Sequence, residues 1–89
     1  MYSLVRESDG AGDSGHMSLA LWVDEDGVLV TEDNARPRIG VGMRVGSIYG
    51  RTYHYQDWWQ TTYVTEILED TPTMVRFKTR NSTYVWKCT

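Results

Sequence analysis

Alternation with period two governs this chain, and it leaves no place for a long helix. From Met74 to Arg80 the side chains divide cleanly: Val75, Phe77 and Thr79 fall on one side of an extended backbone, Arg76, Lys78 and Arg80 on the other. Such a pattern is that of a half-buried strand. Met17, Leu19, Leu21 and Val23 alternate with Ser18, Ala20, Trp22 and Asp24, and here both faces are mostly apolar. Asp26-Gly27 follows, a pair suited to a tight hairpin turn before Val28-Leu29-Val30. Tyr84, Trp86 and Cys88 share a face near the end of the chain. Trp58 to Leu68 is rich in β-branched and aromatic residues and reads as one strand. No window of eleven or more residues carries a 3.6-residue period free of glycine or β-branched clusters. Short strands separated by turn signals predict an all-β sandwich or small barrel, its last three strands an antiparallel meander.

With 89 residues the chain makes one domain, 1–89, with a thin core. Residues 7–15, ESDGAGDSG, predict a flexible loop, and residues 17–88 the β-barrel core. No apolar run approaches the roughly 20 residues of a membrane-spanning helix, so no membrane partner is expected. The lone cysteine, Cys88, has no partner for an internal disulfide. The first ten residues carry no apolar signal region, so a cytoplasmic setting is expected.

The formal charge of -3 conceals a division. Residues 1–35 hold one basic and eight acidic residues, while residues 36–89 hold eight basic and four acidic. The halves, at -7 and +4, are expected to attract each other inside one fold, or to form a basic face beside an acidic arm.

Catalytic and metal chemistry find little support. Gly12-Asp13-Ser14-Gly15 is similar to the nucleophile segment of trypsin-like serine proteases, but the chain is too short for that double barrel. His16 follows immediately and cannot meet Ser14 as its base, since the two must converge side chain to side chain with a third orienting group. The acids Asp24, Glu25 and Asp26 lack the spacing of a calcium loop. His16, His54 and Cys88 are too scattered for zinc. No catalytic residue, metal or cofactor is therefore expected.

Two surfaces suggest binding instead. Five aromatic residues crowd into 49–59, more than a thin core can hold. Adjacent strand residues point to opposite faces, so Trp58 and Trp59 cannot both point inward. Tyr53, Tyr55 and Trp58 form the expected partner-binding patch, with Trp59 packed. Alternatively, Arg76, Lys78 and Arg80 form a basic row whose spacing suits the phosphates of a single strand, with aromatic stacking nearby. The acidic net charge weighs against that nucleic-acid face.

Several segments resemble Src-homology-3 domains in order over residues 20–85. Ala20-Leu21-Trp22-Val23-Asp24 is similar to their A-L-Y-D-Y opening, and Gly42-Met43-Arg44-Val45 to a G-[DE]-x-[LIV] strand entry. Asp57-Trp58-Trp59 resembles their Trp-Trp pair, and Tyr84-Val85 sits where N-Y-V would close the domain. The resemblance implies a small SH3-like antiparallel barrel with an N-terminal hairpin or arm, Trp58 as groove tryptophan and Tyr84 as groove tyrosine. The G-[YF]-[IV]-P-x-N-Y segment is missing, so the resemblance carries the architecture rather than polyproline binding. The expectation is a non-catalytic module that binds a protein partner as inhibitor or adaptor, a role that free-standing domains of this size, including phage-encoded accessory proteins, can fill. Nucleic-acid binding through the basic row is the alternative.

Overall fold

The computed structural model describes residues 1–47 and 57–89, Asp57 by its backbone alone. Tyr53 and Tyr55 of the expected patch, with His54, lie outside the described residues. The described residues form nine strands: β1 Tyr2–Arg6, β2 Gly12–Gly15, β3 Met17–Val23, β4 Leu29–Asp33, β5 Gly42–Ser47, β6 Asp57–Gln60, β7 Val64–Thr71, β8 Met74–Thr79 and β9 Thr83–Cys88. They build two antiparallel sheets, one ordered β2-β1-β9-β8-β7 and the other β4-β3-β5-β6. The molecule is all-β, with no helix and no closed barrel among the described residues.

The predicted hairpin forms where the turn chemistry demands it. Gly27 takes φ +79°, a conformation that a side chain resists. The Asp24 carboxylate accepts the Asp26 and Val28 amides, each at 2.9 Å, and so closes the turn. β3 and β4 then pair from Leu19–Asp33 to Val23–Leu29 without a bulge. The terminal meander β7-β8-β9 also forms.

Three local expectations are corrected. Trp58 to Leu68 is two strands in different sheets, because Thr61 breaks the run. Its hydroxyl accepts the Met43 amide at 3.1 Å and its own amide donates to the Met43 carbonyl at 2.8 Å. The chain then crosses to the other sheet, where Val64 donates to Val41 and Gly40 to Val64, both at 2.9 Å. Within the expected loop 7–15, residues 12–15 are a strand, since a tight turn returns the chain onto β1. Arg6 donates to the Ala11 carbonyl at 2.7 Å, and the Arg6 guanidinium grips the Asp9 carboxylate. The core, expected within residues 17–88, also takes in Leu4, because the expected N-terminal hairpin forms as β1 and β2 and β1 lies between β2 and β9.

The core fills the space between the sheets. Leu4, Val75, Phe77, Tyr84 and Trp86 come from the five-stranded sheet; Ala20, Met43 and Val45 come from the four-stranded one. Tyr84, the expected groove tyrosine, belongs to this core and stacks on Phe77 with ring centroids 5.5 Å apart. Its strand parity aligns it with Trp86, the largest fully buried side chain. At one corner the sheets approach so closely that a Cβ on Gly15 would collide with the Gly46 carbonyl.

Candidate functional site

Strand parity decides which side chains leave the core. In the four-stranded sheet, buried Met43 and Val45 point inward, so Gly42 and Arg44 lie on the outer face. Trp59 pairs with Val45 and packs against the core; Trp58 pairs with Gly46 and lies on the outer face, and both are half-buried. Arg44 stacks over Trp58, 4.2 Å from the ring centroid, while its Nε and Nη2 donate to Gln60 at 3.0 and 2.7 Å. The Trp59 indole N–H finds no acceptor among the described residues, and the Arg6 guanidinium lies 5.1 Å from its ring centroid.

The apolar second face of Met17–Val23 now has a consequence. Met17, Leu19, Leu21 and Val23 all point outward, away from the intersheet core. A groove of about 320 Å³ runs across this face, with Leu21 and Gly42 at its base and Leu29, Arg44, Gln60 and Tyr63 along its sides. Tyr63 also borders a second hollow of about 410 Å³ with Trp22, Val23, Arg38 and Ile39. In these two hollows the apolar exposure is large: Val23 51 %, Leu29 60 %, Ile39 65 % and Tyr63 51 %. Single exposed apolar residues are ordinary, but a contiguous group flanked by polar side chains marks an interaction surface. Arg38, in the second hollow, is held by Glu32 at 2.7 Å and stacked 4.9 Å from the Trp22 centroid; both partners have inward parity, so the border of the outer face is supplied by Arg44 instead.

This face was not among the sequence-expected sites. Its trace was the double-sided apolar alternation of residues 17–23, which a strand solvated on one face would not show. Ile39 joins it through the loop from β4 to β5 within the same sheet, and Tyr63 through the crossing from β6 to β7.

The expected basic row is divided by its surroundings. Arg76 bonds Glu7 at 2.6 Å and approaches Glu69 at 3.9 Å, and these carboxylates raise its pKa. Lys78 stands opposite Glu66 on β7, and Arg80 lies beyond the end of β8. Acidic residues thus face the first two cations from the adjoining strand, where a phosphate backbone would have to approach. The Glu7–Arg76 and Glu32–Arg38 pairs join the acidic and basic halves of the chain, while Arg6–Asp9 and Arg36–Asp70 close within them.

Ser14 and His16 are exposed, and Ser14 faces Ser3 across the β1–β2 ladder. Among the described residues no three His, Cys, Asp or Glu side chains gather at a metal-holding distance. Comparisons with protein families, curated proteins and solved structures find no match to this chain.

Proposed function

We propose that this protein is a non-catalytic binding module of the cytoplasm that docks a protein partner, as inhibitor or adaptor, through the outer face of its four-stranded sheet. The observation that carries the reading is the apolar exposure of Leu29 and Tyr63 in one hollow and of Val23, Ile39 and the same Tyr63 in the other. An apolar centre with an aromatic anchor and an arginine border is the anatomy of a protein interface. Trp58, expected from the sequence as a partner contact, lies on the same outer face beside Arg44. The SH3-like resemblance supports the same logic, a small β-fold that presents an aromatic-lined groove, and the SH3-like barrel belongs to this proposal.

The test is capture of the partner on immobilised protein, with nuclease present, by the wild-type chain and by Ile39→Asp and Tyr63→Ser. Both side chains are more than half exposed, so stability should change by no more than about 0.5 kcal/mol. Partner capture should fall by at least about 30-fold, the equivalent of losing a contact worth about 2 kcal/mol. Undiminished capture by both variants, or capture that nuclease abolishes, refutes the reading.

A further inference from the structure

Strand edges are natural docking sites because half of their amides lack a ladder partner. Among the described residues the two sheets have four edge strands, β2, β7, β4 and β6. β2 runs within 8 Å of β5 and β6, so those two edges approach each other. β7 carries two register shifts, and Arg36 caps its far end by donating to the Thr71 and Pro72 carbonyls at 2.6 and 2.9 Å. Bulges and capping are the usual protections of an edge. β4 has neither: its register is continuous over Leu29–Asp33, and it contains no proline.

The amides that face outward can be named. Asp24 donates to the Val28 carbonyl at 3.0 Å. In an antiparallel ladder hydrogen-bonded pairs alternate with non-bonded ones. Trp22–Val30 and Ala20–Glu32 are therefore the bonded pairs, and Leu29, Thr31 and Asp33 turn their N–H and C=O groups to the open edge. The same three residues share their parity with Val23 and Leu21, so their side chains stand on the apolar outer face. The charge along this edge has one sign. Asp24, Glu25 and Asp26 lie at one end, and Glu32 and Asp33 at the other; Arg38 answers Glu32 alone.

We propose that β4 accepts an extended segment of a partner protein as an added strand, with an apolar side chain opposite Leu29 and a Lys or Arg opposite Asp33. This deepens the binding-module reading and rests on it. The added strand gains ladder hydrogen bonds from Leu29, Thr31 and Asp33, extends the Val23–Leu29 apolar row, and brings positive charge to an acidic edge. A second copy of this chain is the poorer occupant. Antiparallel β4 against β4 centred on Thr31 would set each Asp33 opposite the other copy's Leu29, near its Asp24–Asp26 turn.

The test is amide hydrogen exchange on the full chain with two probes, the peptide acetyl-KTVTVTV-amide, which set antiparallel puts its lysine opposite Asp33 and valines opposite Thr31 and Leu29, and its acidic twin acetyl-ETVTVTV-amide. Measurement at about 0.01 M salt keeps the charge term visible. The basic peptide should slow exchange at Leu29, Thr31 and Asp33 by at least about tenfold, and the acidic twin should not. Thr31→Pro removes one outward N–H at a position where an edge strand tolerates proline, and it should abolish the protection. A basic peptide N-methylated at its first valine, the residue opposite Thr31, gives the same comparison on the unaltered chain. Equal protection by both peptides, protection confined to the Tyr63 groove, or protection that appears with protein concentration alone overturns the proposal. If the basic peptide fails while Ile39→Asp still abolishes partner capture, strand addition falls and the binding-module reading stands. If Ile39→Asp and Tyr63→Ser both leave capture intact, both fall.

Discussion

Trp86 poses a problem that one hydroxyl solves. Its indole is buried between the sheets, and a buried N–H without an acceptor is costly. Ser18, on the opposite sheet, accepts that N–H at 3.0 Å and donates its own proton to the Ala35 carbonyl at 2.9 Å. A serine in the apolar run of residues 17–23 is therefore a required bridge between layers. Ser18→Ala leaves one buried donor and one buried acceptor unpaired and should destabilise the fold by about 1–3 kcal/mol. Thermal denaturation would read this as a fall of about 4–8 °C per kcal/mol in a domain of this size. A change below about 0.5 kcal/mol would show that the two groups find other partners.

At the scale of the element, the β1–β2 hairpin depends on Asp9. The Arg6 guanidinium bonds its carboxylate at 2.9 and 2.5 Å, and the Ala11 amide adds a third bond at 3.1 Å. The Arg6 hydrogen bond is the largest cause lowering the Asp9 pKa from 3.8 to about 2. Since the folded state holds this proton less tightly than the unfolded chain, the contribution of Asp9 is complete above about pH 4. It disappears as the pH falls toward about 2. Protection of the Gly12–Gly15 amides, relative to their intrinsic exchange rates, should fall as the pH drops through that window, and Asp9→Asn should remove this fall while lowering protection at neutral pH. An Asp9→Asn chain with the wild-type acid profile would place the titration elsewhere.

For the molecule as a whole, the decisive arrangement is the contact of two sheets along one core and at one tight corner. Gly15 sits buried where its backbone meets the Gly46 carbonyl of the other sheet. A methyl group there must push the layers apart, so Gly15→Ala should cost about 1–3 kcal/mol or more. Ser14→Ala, at the exposed neighbouring residue, should stay within about 0.5 kcal/mol. Chemical denaturation of the two variants separates corner strain from a general effect on β2. This packing also creates the proposed binding face: Ile39 follows the loop that ends at β5, Tyr63 the crossing from β6 to β7, and Val23 the central hairpin. Residues distant along the chain meet there because Tyr63, between β6 and β7, lines both hollows, with Leu29 in one and with Val23 and Ile39 in the other.

The sequence alone determined what depends on neighbours in the chain. Period-two alternation set the strands β3, β8 and β9, and the Asp24–Gly27 turn set the β3–β4 hairpin, because pleat and turn geometry act over a few residues. The inward residues Val75, Phe77 and Trp86 follow from the same parity, and so does the opposition of Trp58 and Trp59; Leu21, expected to point inward with them, is buried on the outer face instead. Tertiary structure decided what depends on distant pairing. No local pattern announces that Tyr2–Arg6 will pair with Thr83–Cys88, or that Thr61 will bond Met43 and divide an apparently continuous strand. Tyr84, a surface residue by resemblance, became core through its alignment with Trp86, and Arg76, one of a basic row, became half of an ion pair with Glu7. The apolar outer face lay between these two cases. Its strand was legible in Met17–Val23, but Ile39 reaches it through the loop from β4 to β5 and Tyr63 through the crossing from β6 to β7, whose closure rests on contacts that no short window of sequence contains.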